Sequence, residues 1–359
     1  MPESYKVAEI KLERLVKKYG DQRVVNEVSL LVTRGEFVTL LGPSGSGKTT
    51  TLMMIAGFVE PDEGDVYIGG TRITEIPAHR RGIGMVFQHY ALFPHMTIFD
   101  NVAYPLRMRR IPKKEIRKRV QSALELVQLP DVGARHPRQL SGGQQQRIAV
   151  ARALVYEPDV LLMDEPLGAL DRKLREQMQF ELRTLQKSLG ITTLYVTHDQ
   201  QEAMSLSDRV VVMQEGRIEQ IGPSDDLYEN PRTHFVASFI GESNCLDGRL
   251  KKADESWAFI TANGLSLPVA PQRDEPSPTQ ARFIIRPESI QWADFSLTEI
   301  STAAVIESAT YLGERIRYSV SLADGTRLIV THPNLKSIHR YKIGESVRIG
   351  WNRSDATIL

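Results

Sequence analysis

The chain is poor in the features that would place it outside the cell or inside a bilayer. Its 359 residues include one cysteine, Cys245, which excludes an internal disulfide framework and a thiolate metal cluster and fits a reducing compartment. No run approaches the ~18 consecutive apolar residues that a membrane-spanning helix needs. The opening residues, MPESYKVAEI, lack the basic-then-apolar pattern of a signal peptide. A cytoplasmic chain is therefore expected, with any membrane association made through a partner. An excess of either charge is missing too. Lys and Arg number 45 against 44 Asp and Glu, so no global field draws the chain to nucleic acid or to an acidic membrane surface. Tryptophan is scarce, and all three (Trp257, Trp292, Trp351) lie beyond residue 240, which marks a second compositional region. The length and a 41% hydrophobic content suffice for two or three domains with sizeable cores.

What the chain does have is concentrated in Glu36 to Phe58, EFVTLLGPSGSGKTTTLMMIAGF. Phe37 to Leu41 is a short apolar run suited to a buried parallel strand, and Thr49 to Phe58 is largely apolar and helix-compatible. Between them Gly42-Pro43-Ser44-Gly45-Ser46-Gly47-Lys48-Thr49, followed by Thr50, is a full match to the phosphate-binding loop G-x-x-x-x-G-K-[ST]. Gly42, Gly45 and Gly47 let the backbone curl until successive N–H groups face one anion at the positive end of a helix. Lys48 would reach the β- and γ-phosphates, and the Thr49 hydroxyl would ligate Mg²⁺. A Gly/Ser-rich turn with a chance lysine is the plain alternative, and the flanking strand and helix weigh against it.

Taken in order, residues 7 to 35 alternate short apolar runs with turns, as in a small antiparallel sheet, with Tyr19-Gly20 at one turn. A tyrosine there can stack on a nucleobase, although a Tyr beside a Gly more often packs. PDEGDVYIGG, Pro61 to Gly70, reads as a hairpin. Ile83 to Gln88 is an apolar strand ending in an amide that could sense a γ-phosphate or ligate a metal, or be merely a polar edge. Residues 98 to 155 read as helical. Within them RMRRIPKKEIRKR, Arg107 to Arg119, is the strongest basic run; a solvated helix face outweighs a nucleic-acid contact there. Leu140-Ser141-Gly142-Gly143-Gln144 opens a helix with Ser141 as N-cap and a bare N-terminus for a second anion. DVLLMDEP follows as a strand ending in Asp164, suited to nucleotide-bound Mg²⁺, and Glu165, able to take a proton from water. Leu194 to Thr197 ends in His198, which can donate to a γ-phosphate, though a lone His is more often structural.

The set GPSGSGKT, Gln88, LSGGQ, LLMDEP, LGALD and His198, in that order, resembles the nucleotide-binding subunit of an ATP-binding cassette transporter over roughly residues 5 to 240. No catalytic position departs from the family pattern. The resemblance implies an α/β P-loop NTPase with a RecA-like core, an antiparallel β subdomain and a helical subdomain at about 89–157. It implies ATP and Mg²⁺ as cofactors, with Thr49, Gln88 and Asp164 at the metal. Tyr19 would stack on adenine, Glu165, His198, Lys48 and Gln88 would act in catalysis, and Asp171 would couple two sites. It further implies a head-to-tail dimer, identical or paired with a homologous ATPase, in which Ser141, Gly142, Gly143 and Gln144 of one copy face the phosphate loop of the other. Transmembrane permease subunits would dock near the Gln88 loop, an extracytoplasmic solute-binding protein would act indirectly, and the chain would lie at the cytoplasmic face of the inner membrane.

Beyond residue 240 the pattern turns all-β. Ile316, Tyr318, Val320 and Leu322 alternate with polar residues, Asp324-Gly325 turns the chain, and Val347, Ile349 and Trp351 alternate again. Pro268, Pro271, Pro276 and Pro278 mark an exposed connection. A small OB-like barrel over 241–359 is expected, and its fourteen basic and fourteen acidic residues argue against a nucleic-acid groove. ARFIIRPESI and ATYLGERIRY resemble the C-terminal regulatory (TOBE) barrel of importer ATPases. Phe239 to Asn244, FIGESN, is more similar to polyamine and opine importer ATPases than to the sugar type, where Ser-Pro usually follows the glycine. The expectation is an importer ATPase, with polyamine-like cargo. Sugar, iron or another solute stays open, as does a soluble nucleic-acid-linked cassette ATPase, although that class usually carries a coiled-coil insertion or second cassette.

Overall fold

The computed structural model describes residues 7–168, 170–253, 256–269, 281–293, 298–336 and 339–359. Compactness divides the chain into two units at Ser224/Asp225, earlier than the change in composition near 240.

The first unit opens with a long antiparallel ribbon, β1 (Ile10–Tyr19) and β2 (Gln22–Val32), closed by a turn at Tyr19 and Gln22. Alternation buries Ile10, Leu12, Val28, Leu30 and Val32. Next come β3 (Phe37–Leu41), α1 (Lys48–Ala56), the hairpin of β4 (Glu63–Ile68) and β5 (Thr71–Arg72), and β6 (Ile83–Val86). Three helices follow, α2 (Ile98–Met108), α3 (Lys113–Leu126) and α4 (Gly142–Leu154). The chain then runs through β7 (Val160–Asp164), α5 (Arg172–Leu189), β8 (Thr192–Thr197), α6 (Gln200–Leu206), β9 (Arg209–Gln214) and β10 (Arg217–Gly222). Strands β2, β1, β4 and β5 form one sheet in that order; β10, β9, β3, β8, β7 and β6 form the other.

In the second sheet every neighbour is parallel except β10. Its central strands β3, β7 and β8 are buried at every residue, which is why they read as unbroken apolar runs rather than alternating ones. One core lies under the β ribbon and α1, and a second joins α2, α3 and α4 to α5 and the sheet. The basic run spans the end of α2 and the start of α3, with Pro112 at the α3 N-cap. Ile116, Val120, Ala123 and Leu124 fill the buried face of α3, so its cations point outward, Arg119 onto Glu115 at 2.8 Å.

The division falls one residue into the short helix α7 (Ser224–Glu229), and a second short helix, α8 (His234–Phe239), comes next in the second unit. Among the described residues ten strands follow: β11 (Asn244–Ala253), β12 (Ser256–Thr261), β13 (Ser266–Val269), β14 (Ala281–Ile285), β15 (Gln291–Trp292), β16 (Ile300–Tyr311), β17 (Arg315–Leu322), β18 (Arg327–Pro333), β19 (Ser346–Trp351) and β20 (Ala356–Ile358). They make two five-stranded antiparallel sheets, ordered β13-β12-β11-β14-β20 and β15-β19-β16-β17-β18. Their shared core contains Phe259, Phe283, Trp292, Tyr318 and Trp351, consistent with an OB-like domain. Pro268 corrects one expectation: it lies in β13, an edge strand, where a missing N–H costs no ladder bond. Pro271, Pro276 and Pro278 lie outside the described residues. Buried Arg286 donates to the carbonyls of Tyr228 at 2.6 Å, Ala237 at 3.0 Å and Ile240 at 2.7 Å, and so ties α7 and α8 to the strands.

Candidate active site

The order β3-β8-β7-β6 brings four chemically loaded strand ends side by side. Leu41 pairs with Thr197, Asp164 with Val196, and Val86 with Met163. The phosphate loop, His198, the Asp164-Glu165 pair and Gln88 therefore emerge from adjacent C-terminal strand ends, where open parallel sheets bind ligands.

At the loop, Gly47 has φ 93°, and a Cβ there would stand 2.5 Å from the Val24 carbonyl; a Cβ on Gly42 would meet the Met213 carbonyl at 2.3 Å. Both positions accept only glycine. Gly47 also caps α1 without any side-chain bond, so the first N–H groups of α1 stay available to an anion. Lys48 is buried and donates to the Gly42 and Pro43 carbonyls at 2.8 Å each and to Ser46 Oγ at 3.3 Å. Burial pulls its pKa down, against the upward pull of Glu165 and Asp164. Pro43, Ser44 and Gly45 are exposed, and Thr50 is half-buried on the first turn of α1.

Thr49 Oγ1 donates to Asp164 Oδ1 at 3.1 Å. Burial, reinforced by the Glu165 charge, raises the pKa of Asp164, while the Thr49 bond opposes it. A carboxylate held there against burial gains from a nearby cation, and a carboxylate plus a hydroxyl are the hard oxygen donors Mg²⁺ takes alongside phosphate and water. The residues fit the ion. Glu165 has φ 42°, a left-handed torsion for a residue with a side chain, and its N–H is fixed by the Val196 carbonyl at 3.0 Å. Its two carboxylate oxygens are separately engaged: His198 Nδ1 lies 3.0 Å from Oε1 and Gln88 Nε2 donates to Oε2 at 3.2 Å. Three residues named from separate motifs are thus one cluster.

Sequence reasoning missed what stands behind His198. Asp199 caps α6, accepting from the N–H of Gln201 at 2.8 Å and of Glu202 at 3.2 Å. Buried Glu202 accepts from Tyr195 Oη at 2.9 Å and Thr197 Oγ1 at 2.8 Å, and burial raises its pKa. Arg175 donates to the Leu170 carbonyl at 2.9 Å and to Asp199 at 3.4 Å, and so joins the Asp171 turn to the His198 turn. The Asp-x-x-Glu spacing of 199 and 202 was the available signal.

Other named residues sit apart from this cluster. Ser141 caps α4, accepting from the Gln144 N–H at 3.3 Å, while the Gln144 side chain returns a bond to the Ser141 N–H at 3.1 Å. Added Cβ atoms on Gly142 and Gly143 would press on Leu170 and Leu174 at 3.2 and 3.1 Å. Asp171 caps α5, accepting from the Leu174 N–H at 3.0 Å. Tyr19, 55% exposed, sits at the ribbon's end, a few residues from the Val24 carbonyl that abuts Gly47.

A family model described as ABC transporter matches residues 25–168, and one described as TOBE domain matches residues 283–359. The chain belongs to the ABC transporter family, as a subunit that binds and hydrolyses ATP to drive solute import. It is similar to the spermidine/putrescine import ATP-binding protein PotA of Rubrobacter xylanophilus, 46% identical over 353 residues covering 98% of this chain and 93% of that one. It is 44% identical to the protein of the same name from Pseudomonas aeruginosa, over 97% of each chain. Among solved structures, the dimeric post-hydrolysis state of the cassette MJ0796 bound to ADP and Pi aligns with TM-score 0.53 and 35% identity, over 60% of this chain and 98% of its own.

Proposed function

We propose that the chain powers import of a small polycation of the polyamine class, working as a head-to-tail dimer peripheral to the cytoplasmic face of the inner membrane. The observation that carries the mechanism is Glu165 held between Gln88 and His198 beside the Thr49–Asp164 pair. ATP phosphates bind the Gly42–Thr50 loop and Lys48, with Tyr19 against the adenine and the γ-phosphate meeting the partner's Ser141 and the partner's Gly143. Mg²⁺ held by Thr49, Asp164 and Gln88 would offset the negative charge on the β- and γ-phosphates. Water attacks the γ-phosphorus, its proton passes to Glu165, and the bond to the β-phosphate oxygen breaks as His198 and Lys48 stabilise the γ-oxygens. Loss of the bridging anion lets the copies part, Asp171 links the two sites, and the Gln88–His95 loop passes the change to permease subunits.

The cargo reading rests on the names of the relatives and on the FIGESN segment. Among the described residues no helix is long and apolar enough to cross a membrane, which is compatible with a peripheral subunit carried by separate permeases. Glu165→Gln should bind ATP and persist as a closed dimer in size-exclusion chromatography. A variant that stays monomeric with ATP at saturation defeats the sandwich. Calorimetry on the solute-binding protein of the same transporter should show putrescine or spermidine binding, and a sugar bound instead would overturn the cargo.

A further inference from the structure

The loop that leaves Gln88 is held from the far end of the helix that Ser141 begins. Tyr90 and Ala91 have φ of 59° and 48°, two successive left-handed torsions that L side chains avoid. Such a turn persists only where its surroundings hold it. Arg152, on the last turn of α4, donates from Nη2 to the Tyr90 carbonyl and from Nη1 to the Ala91 carbonyl, each at 2.7 Å. A planar guanidinium reaches two such acceptors through separate nitrogens in a fixed fork; a lysine ammonium has one nitrogen on a shorter stem. The Tyr90 ring is buried in the helical layer, and Arg152 is largely withdrawn from water, which lowers its pKa. Further along, fully buried Asn101 of α2 accepts from the Phe93 N–H at 2.7 Å and donates to the Phe93 and Thr97 carbonyls at 3.1 and 3.0 Å. The loop between Gln88 and Thr97 is therefore pinned twice, both times from the helical layer.

We propose that Arg152 is a positioning residue: it fixes the Tyr90–Ala91 turn so that Gln88 meets Glu165, and it makes that turn move with α4. Arg152 stands near the far end of the helix that Ser141 caps, a rod of roughly 16 Å between them. Displacement of the cap by a partner's nucleotide is transmitted along this rod to the Gln88 loop. The inference rests on the reading of Gln88 as an active-site residue, so Gln88→Ala is measured beside it.

The experiment is steady-state ATPase kinetics and amide hydrogen exchange on the full chain. Gln88→Ala should lower kcat at least about fivefold with KM for ATP within about twofold, and Arg152→Gln should reproduce that split. Arg152→Gln should also speed exchange at residues 89–93 about tenfold while β3 and α1 keep their protection. Arg152→Lys, which keeps the charge but lacks the two-nitrogen fork, should fall between, and it carries the same test if the Gln variant does not fold. Wild-type kcat and exchange in the Arg152 variants, with Gln88→Ala slow, overturn the proposal. So does a loss spread evenly over melting temperature, KM and exchange throughout α4, the mark of a packing residue alone. If Gln88→Ala itself turns over normally, the site reading fails, and exchange at 89–93 still judges the clamp.

Discussion

Two helix N-termini in the first unit are proposed to meet the nucleotide, and they are built oppositely. The α1 terminus has glycine as its cap, no side-chain bond, and a buried lysine turned onto the loop's own carbonyls. The α4 terminus is closed on itself by the reciprocal bonds of Ser141 and Gln144, one of them a long 3.3 Å. The first is committed to its ligand by covalent geometry, since no side chain fits at Gly47. The second is protected by a weak local bond that a better acceptor can replace. In the proposed dimer that asymmetry would give firm binding at one terminus and exchangeable contact at the other.

Breaking the α1 end should have the largest effect. Lys48→Ala removes the buried cation, and ATPase activity should fall by at least about a hundredfold in a phosphate-release assay; wild-type turnover would remove the phosphate-loop assignment. Breaking the α4 end should be milder and should separate two measurements. Ser141→Ala costs a cap of about 1 kcal/mol, but its clearer effect is about tenfold weaker ATP-driven association in a Glu165→Gln background, with monomer nucleotide affinity unchanged. Equal losses in both measurements would place Ser141 on the same face as Lys48.

The smallest expected effect sharpens the contrast by pH. Burial raises the Asp164 pKa above its unfolded value, so the folded chain binds that proton more tightly. Its contribution therefore favours folding below the unfolded pKa and is lost as pH rises through the folded one. Asp164→Asn should raise the melting temperature by about 2 °C at pH 7 and by less at pH 4. A lower melting temperature at pH 7 would show that Lys48 and Thr49 outweigh the burial penalty.

Much of this was legible because the chemistry is local in sequence. The runs FVTLL and VLLMD are buried on both faces and carry no alternation to misread. Gly42 to Thr49 and Ser141 to Gln144 each act within a few residues, so a spacing suffices. Their assembly followed from strand order: Gln88, Glu165 and His198 meet because β6, β7 and β8 are neighbours. Arg152 escaped because it reaches the carbonyls of Tyr90 and Ala91, far back in the chain, which nothing in ARAL names, and Arg175 because its Asp199 partner lies on another element; Glu202 bonds Tyr195 and Thr197 close by, and its Asp-x-x-Glu spacing was overlooked. Pro268 was misread because a proline in an edge strand looks, in sequence, the same as one in a loop.

Arg286 has a practical consequence for anyone dividing the molecule. Its guanidinium, 7% exposed, spends its donors on backbone oxygens of Tyr228, Ala237 and Ile240, upstream of the first strand. A fragment cut to begin at Gly241, where composition changes, would leave that charge in the interior without those acceptors. One begun at Asp225 keeps them and is the piece to express alone.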